Sequence, residues 1–179
     1  MLAAYEREDM SVWKEYVDSE NLSPLTDNRL SYEYGYCGYI VAEAKKSGNE
    51  ALMEQAKQYV ARFKSDILNL KSKMPIGHYE MYLSAVYVYE LRLHLSIHPV
   101  KAMSLAKEAV KKAPSDPVVL SYYGTCLFYA PSPFGSKSEA LEWFRKAKPL
   151  FRDKRWQYNW LRVANDMYIR QCEQKLQKN

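Results

Sequence analysis

His94 and His98 stand four residues apart, a spacing that allows chemistry. On a helix such positions share a face, and two imidazoles there can ligate a metal. Pro99 follows at once and ends such a helix, so no metal site is expected. His78 reads as a first-turn helix residue. Glu80 and Glu90 are a conceivable carboxylate pair, but ten residues along one helix put them about 15 Å apart. Cys37, Cys126 and Cys172 lie far from one another and form no CxxC. An odd number cannot all pair internally, so they read as buried free thiols. Cys37 and Cys126 each follow a glycine by two residues (Gly35, Gly124), which points to packing rather than reactivity. The chain has no G-x-S-x-G, no phosphate loop and no dinucleotide fingerprint. Neither catalysis nor a cofactor is expected.

Tyrosine is the unusual feature. Sixteen Tyr occur in 179 residues, against five Phe. Tyr joins a large apolar body to a polar tip, which suits half-buried or binding surfaces. Three groups fall on single helix sides: Tyr32, Tyr36 and Tyr39; Tyr82, Val86 and Tyr89; and Tyr122, Thr125, Phe128 and Tyr129.

The elements that must position these groups are helical throughout. Apolar Leu2, Tyr5, Trp13, Tyr16 and Val17 predict an amphipathic helix over about 2–19. A turn around Pro24 follows, then a helix over about 27–46 closed by Gly48 as a C-cap. Further helices are predicted over about 50–73, 78–97 and 100–112, the "HP" step at His98 and Pro99 closing the second of these. Asp116 reads as an N-cap with Pro117 in the first helical position. Helices over about 118–129, 137–151 and 154–175 complete the chain. No run alternates as a strand would.

The helices pair, and the pairs repeat. Small residues Gly35, Ala85 and Gly124 mark the first helix of each pair, and Leu52, Ala102 and Ala140 follow at 17, 17 and 16 residues. Ala102, Ala106 and Ala109, then Ala140, Phe144 and Ala147, share the four-then-three spacing that puts them on one face. Small side chains on that face let two helices nest. This is the physics of a stacked helical repeat.

The segment "AMSLAKEAVKKAPSDPVVLSYYGTCLFY", continued by "EALEWFRKA", resembles tetratricopeptide repeats, well over about 102–147 and more weakly over 28–73. The family's early Trp and Leu are largely replaced by Tyr, and the first helices are about one turn longer. The resemblance implies an all-α fold: a right-handed stack of about three helical hairpins (27–73, 78–113, 117–151) with terminal helices over 2–19 and 154–177, as one domain spanning 1–179. It also implies a concave face formed by the first helices. Tyr32, Tyr36, Tyr39, Tyr82, Tyr89, Tyr122, Phe128 and Tyr129 would then form an aromatic wall, with Arg92 and Glu90 as nearby charges. Two readings stay open: an open groove, or a core closed over by the terminal helices.

The loop "PSPFGS" before that last helix resembles the P-x-x-F-G-G insertion of a bacterial, Bacteroidetes-like subgroup of exported proteins, with Ser136 in place of the second glycine. Pro131 and Pro133 stiffen it, Gly135 is expected to supply a positive φ, and Phe134 to plug a gap between helix ends. The loop reads as a packed connector or as the lip of a groove. In the last helix, Trp156, Trp160, Val163 and Met167 form one stripe, read as a cap over the final hairpin or as a partner-binding face.

The net charge of +5 is concentrated after Ser136. A solvated basic face accounts for it, and nucleic-acid binding through the C-terminal third ranks lower. No apolar run spans a bilayer. A periplasmic or otherwise exported location is expected if Met1 stands where a leader was removed, and a cytoplasmic one otherwise. The functional expectation is a non-catalytic protein-binding or scaffolding module with an unknown protein or peptide partner. The alternatives are a carrier of a small apolar ligand in a tyrosine-lined pocket and a weak nucleic-acid binder.

Overall fold

The computed structural model describes Leu2, Tyr5 and residues 9–19, 26–95, 98–157 and 159–177. It is all-helical, and no strand occurs among the described residues. Among the described residues eight α-helices follow in order: α1 (Ser11–Asp18), α2 (Asp27–Ser47), α3 (Glu50–Leu70), α4 (His78–Arg92), α5 (Pro99–Lys112), α6 (Pro117–Tyr129), α7 (Lys137–Ala147) and α8 (Trp160–Leu176). Short 3-10 turns occupy Lys71–Lys73, Lys148–Arg152 and Lys154–Trp156. The chain divides into two compact units, Ala3–Leu105 and Ala106–Asn179, with the boundary inside α5.

Side-chain oxygens set five of the helix starts. Thr26, Asn49, Asp116, Ser136 and Asn159 each accept from a backbone N–H of the first turn, and Pro117 follows Asp116 as expected. Gly48 ends α2 in the left-handed region at φ 65°.

Four helix ends fall short of their predicted limits, the first being α3, which gives way to a 3-10 turn after Leu70. α4 stops at Arg92 because His94 adopts φ 59°. The Leu95 N–H then reaches Glu90 O at 2.8 Å and the His94 N–H reaches Leu91 O at 3.2 Å. That is the Schellman pattern, built on His instead of Gly. α7 gives way at Lys148 because Pro149 brings no N–H to continue it. The last predicted helix divides, since Asn159 caps α8 with a 2.9 Å bond from the Leu161 N–H. The N-terminal helix is seen as Ser11–Asp18, and most of its earlier predicted turns lie outside the described residues.

In the first unit, α1 lies on α2 through buried Trp13 and Val17. The Tyr32 ring meets both Trp13 and Tyr16 edge-on at 5.2 Å. Tyr36 of α2 meets Tyr59 of α3 at 4.9 Å, and Phe63 of α3 meets Tyr82 of α4 at 5.7 Å. α4 approaches α2 at Gly38, where an added Cβ would lie 3.1 Å from Tyr89 Oη.

In the second unit, Gly124 of α6 lies against Phe144 of α7, and Ala140, Phe144 and Ala147 are wholly buried. Helix α8 covers this pair. Tyr168 stacks on Phe144 at 5.1 Å, and the Asn165 amide donates to Phe144 O at 3.0 Å. The buried face of α8 runs through Trp160, as expected, and Leu161, Ala164, Asn165, Ile169 and Cys172. The expected stripe is therefore corrected: Val163 and Met167 are only half-buried, and Trp156 lies in the 3-10 turn before the cap.

The loop after α6 also differs from expectation. Gly135 is not at positive φ. Its glycine is required by space, because a Cβ there would collide with the carbonyl oxygens of Ala130 and Leu127. Phe134 plugs nothing, being 56% exposed.

Candidate functional site

The tyrosines come first, since they carry the binding expectation. Tyr32, Tyr36, Tyr39, Tyr82, Tyr89 and Arg92 belong to the first unit, and Tyr122, Phe128 and Tyr129 to the second. Tyr36, Tyr82, Tyr89, Tyr122 and Phe128 are buried, so of the two readings left open these positions take the core. Tyr82, at 1% exposure, is enclosed by Phe63, His78 and Tyr34. The Tyr89 hydroxyl donates to Tyr34 O at 2.9 Å, an internal partner where a groove would have supplied water. Tyr32 is half-buried. Tyr39, Tyr129 and Arg92 remain exposed, the first two at 42% and 61%. Glu90 takes Lys64 at 2.8 Å.

A dense polar arrangement lies under α1, where sequence reasoning placed no candidate. Asp18, at the end of α1, accepts from Lys14 at 2.7 Å and from the Tyr59 hydroxyl at 2.8 Å. It also accepts from Arg62 at 3.3 Å. Burial alone would raise the Asp18 carboxyl, but the bonds from Lys14 and Tyr59 and the charges of Lys14 and Arg62 hold it below the usual range. Tyr59 is correspondingly pushed up to about 12, by burial and then by its bond to Asp18.

Arg29, in the first turn of α2, is buried and serves three partners. Its Nη2 donates to Val17 O at 3.3 Å and its Nη1 to Ser19 O at 3.4 Å, so a cation closes the carbonyl end of α1. Its Nε donates to Glu33 at 3.1 Å. Glu33 is 1% exposed, and its second oxygen has no hydrogen-bond partner. Burial, then the nearby Asp66 charge, push its carboxyl up to about 7 against the pull of Arg29 and Arg62. Sequence reasoning passed over this residue. A signal existed: Glu33 continues the stripe of Cys37, Val41 and Ala44, all buried.

The other sequence candidates are accounted for locally. Burial pushes the Cys37 and Cys172 thiols up, away from the reactive thiolate. His94 lies beyond the end of α4 and His98 just before α5, so the two are not on one helix; the His94 Nε2 lies 2.9 Å from Lys45 Nζ. No group of three metal-ligating side chains occurs among the described residues, and no described helix is long and apolar enough to cross a membrane. A shallow, open depression of about 690 Å³ lies at the start of α3, lined by Asn49, Leu52, Gln55 and Gln58 among others, and touches none of the tyrosines.

The site and fold so described belong to a protein that is all-helical over its described residues. No protein-family model, no curated protein and no solved structure matches the chain.

Proposed function

We propose that this chain is a divergent tetratricopeptide-like helical-repeat protein, acting as a non-catalytic protein-binding or scaffolding module. The observation that carries the reading is the α6–α7 pair. Gly124 accepts the Phe144 ring, with Ala140 and Ala147 wholly buried on the same face. Those are the small positions that the repeat pattern requires for close helix nesting. The buried Ala102, Ala106 and Ala109 repeat the spacing in α5.

The protein-binding role rests on the rings left outside: Tyr39, Tyr129 and Phe134 are exposed. Rigid amphipathic rings of this kind anchor interfaces at low entropic cost. The carrier reading draws no support from Tyr36, Tyr82, Tyr89 and Tyr122, which are packed against protein. Of the C-terminal cations, Arg145, Lys148 and Arg155 already have carboxylate partners, which weakens a nucleic-acid reading.

The test is cross-linking in the native host followed by reconstitution with the purified partner. Saturable binding that falls roughly tenfold or more in a Tyr129→Ala, Phe134→Ala or Tyr39→Ala variant supports the reading. Full binding by all three variants sinks this assignment of the surface.

A further inference from the structure

Two lysines of the second unit converge on one aromatic ring. Lys137, the first residue of α7, places its ammonium 4.4 Å from the centre of the Phe128 ring, and Lys175, near the end of α8, places its own 4.6 Å from it. The two charges are thus no farther apart than the sum of those distances. Neither has a carboxylate partner among the described residues. The acids that α8 carries nearby are engaged elsewhere, Glu173 with Arg145 at 2.9 Å and Asp166 with Lys148 at 2.9 Å.

A ring quadrupole attracts an ammonium but leaves its N–H groups without an oxygen to bond. Burial, and then the charge of Lys175, lower the affinity of Lys137 for its proton. Two like charges drawn to one ring, with no carboxylate beside either among the described residues, leave ammonium N–H groups for an anion to take up.

Their surroundings add polar atoms. Phe128 meets Tyr129 at 5.0 Å and Tyr168 at 5.5 Å, and the two tyrosine hydroxyls stand 3.4 Å apart. Phenolic hydroxyls can both donate and accept, so the pair adds polar atoms beside the two ammoniums. The Tyr129 ring stays open to solvent beside them. Two ammoniums, phenolic hydroxyls and a flat exposed ring match a ligand with two negative charges, several acceptor oxygens and an organic face.

We propose that Lys137 and Lys175, gathered over Phe128 beside Tyr129 and Tyr168, form a binding site for a phosphate monoester dianion. Charge selects the monoester over a carboxylate or a phosphodiester, each of which brings one negative charge to two cations. Recognition by lysine point charges sets no planar geometry, so the site reads the phosphate more than what it is attached to.

Phenyl phosphate is the probe, titrated into the full chain at pH 7.5 and constant ionic strength while backbone amide shifts are followed by NMR. Saturable shifts centred on residues 137, 168 and 175 are expected, weakened roughly tenfold in Lys137→Gln and in Lys175→Gln. Lys107→Gln removes an exposed charge of α5 and should leave the affinity unchanged. Shifts that rise linearly without saturating, equal losses in the Lys107 variant, or benzoate binding as tightly as phenyl phosphate would each overturn the site. Because all three variants alter partly or wholly exposed side chains, retained wild-type spectra elsewhere separate lost binding from lost fold.

Discussion

Gly124 and Phe144 are in contact so close that a Cβ on the glycine would stand 2.8 Å from the ring. Phe144 has no free space to move into, since it is wholly buried with Tyr168 stacked on its other side. Gly124→Ala gains up to about 1 kcal/mol of helix propensity, yet the overlap should outweigh it and leave the protein about 1–3 kcal/mol less stable. Urea denaturation measures this. Adding Phe144→Leu should return part of the loss, and strictly additive effects would show that the two side chains do not oppose each other.

Glu33 sets a pH dependence of defined sign. Its carboxyl titrates near 7 in the fold against an ordinary value of 4.5. The folded state therefore binds its proton more tightly than the unfolded chain does. This contribution is fully present below about pH 4.5 and is lost as the pH rises through 7. The groups facing it are Arg29 on its own helix and Arg62 and Asp66 on α3. A loss on the order of 2–3 kcal/mol is expected across that window. Glu33→Gln should remove most of the slope while its amide oxygen still accepts from Arg29, and denaturant midpoints from pH 5 to pH 8 test it. An unchanged slope in the variant assigns the dependence elsewhere.

Tyr82 and Tyr129 should respond in opposite ways to the same truncation. Tyr82→Ala opens a cavity among Phe63, His78 and Tyr34 and should cost about 3–5 kcal/mol. Tyr129→Ala removes a ring that is 61% exposed and should cost less than about 1 kcal/mol. Thermal melts of the two variants compare them directly. A Tyr82 variant melting with the wild type would mean that the ring is not core.

Gly135 and Phe134 form a second such pair, within one loop. Gly135→Ala drives a methyl into the carbonyl oxygens of Ala130 and Leu127, backbone atoms that cannot swing aside, and a loss of about 2 kcal/mol or more is expected. Phe134→Ser, on an exposed ring, should change stability by no more than about 0.5 kcal/mol. Denaturation of both variants checks the contrast.

What the residues announced depended on whether one chemical property governed the outcome. Asp116 before Pro117, and Gly48 after a basic turn, are caps for local reasons, and they stand where they were read. His94 was not legible as a helix end, because nothing in an imidazole advertises the left-handed conformation that glycine adopts freely. Pro149 carried the signal for the end of α7 and was read through. The tyrosines divided because the residue type is ambivalent. Tyr82 and Tyr129 have identical side chains, and only the neighbouring helices decide which one meets water. Glu33 was hidden by the opposite habit, that a carboxylate is assigned to solvent even when it lies in line with Cys37 and Ala44. The basic C-terminal third was visible as composition, but the meeting of Lys137 with Lys175 over Phe128 needed three helices in place.

Arg29 also fixes what kind of object α1 is. Eight residues are too few for a helix to hold itself together in water. Its coil-to-helix balance is therefore borrowed from the surface beneath, through the guanidinium on Val17 O, the carboxylate of Asp18 and the indole of Trp13. Such a segment has no half-melted state of its own: it is wound while attached and unwound when it leaves. Its amide protons should then exchange with solvent as a single block, at one common rate set by detachment, and not in the graded order of a helix fraying from its tip.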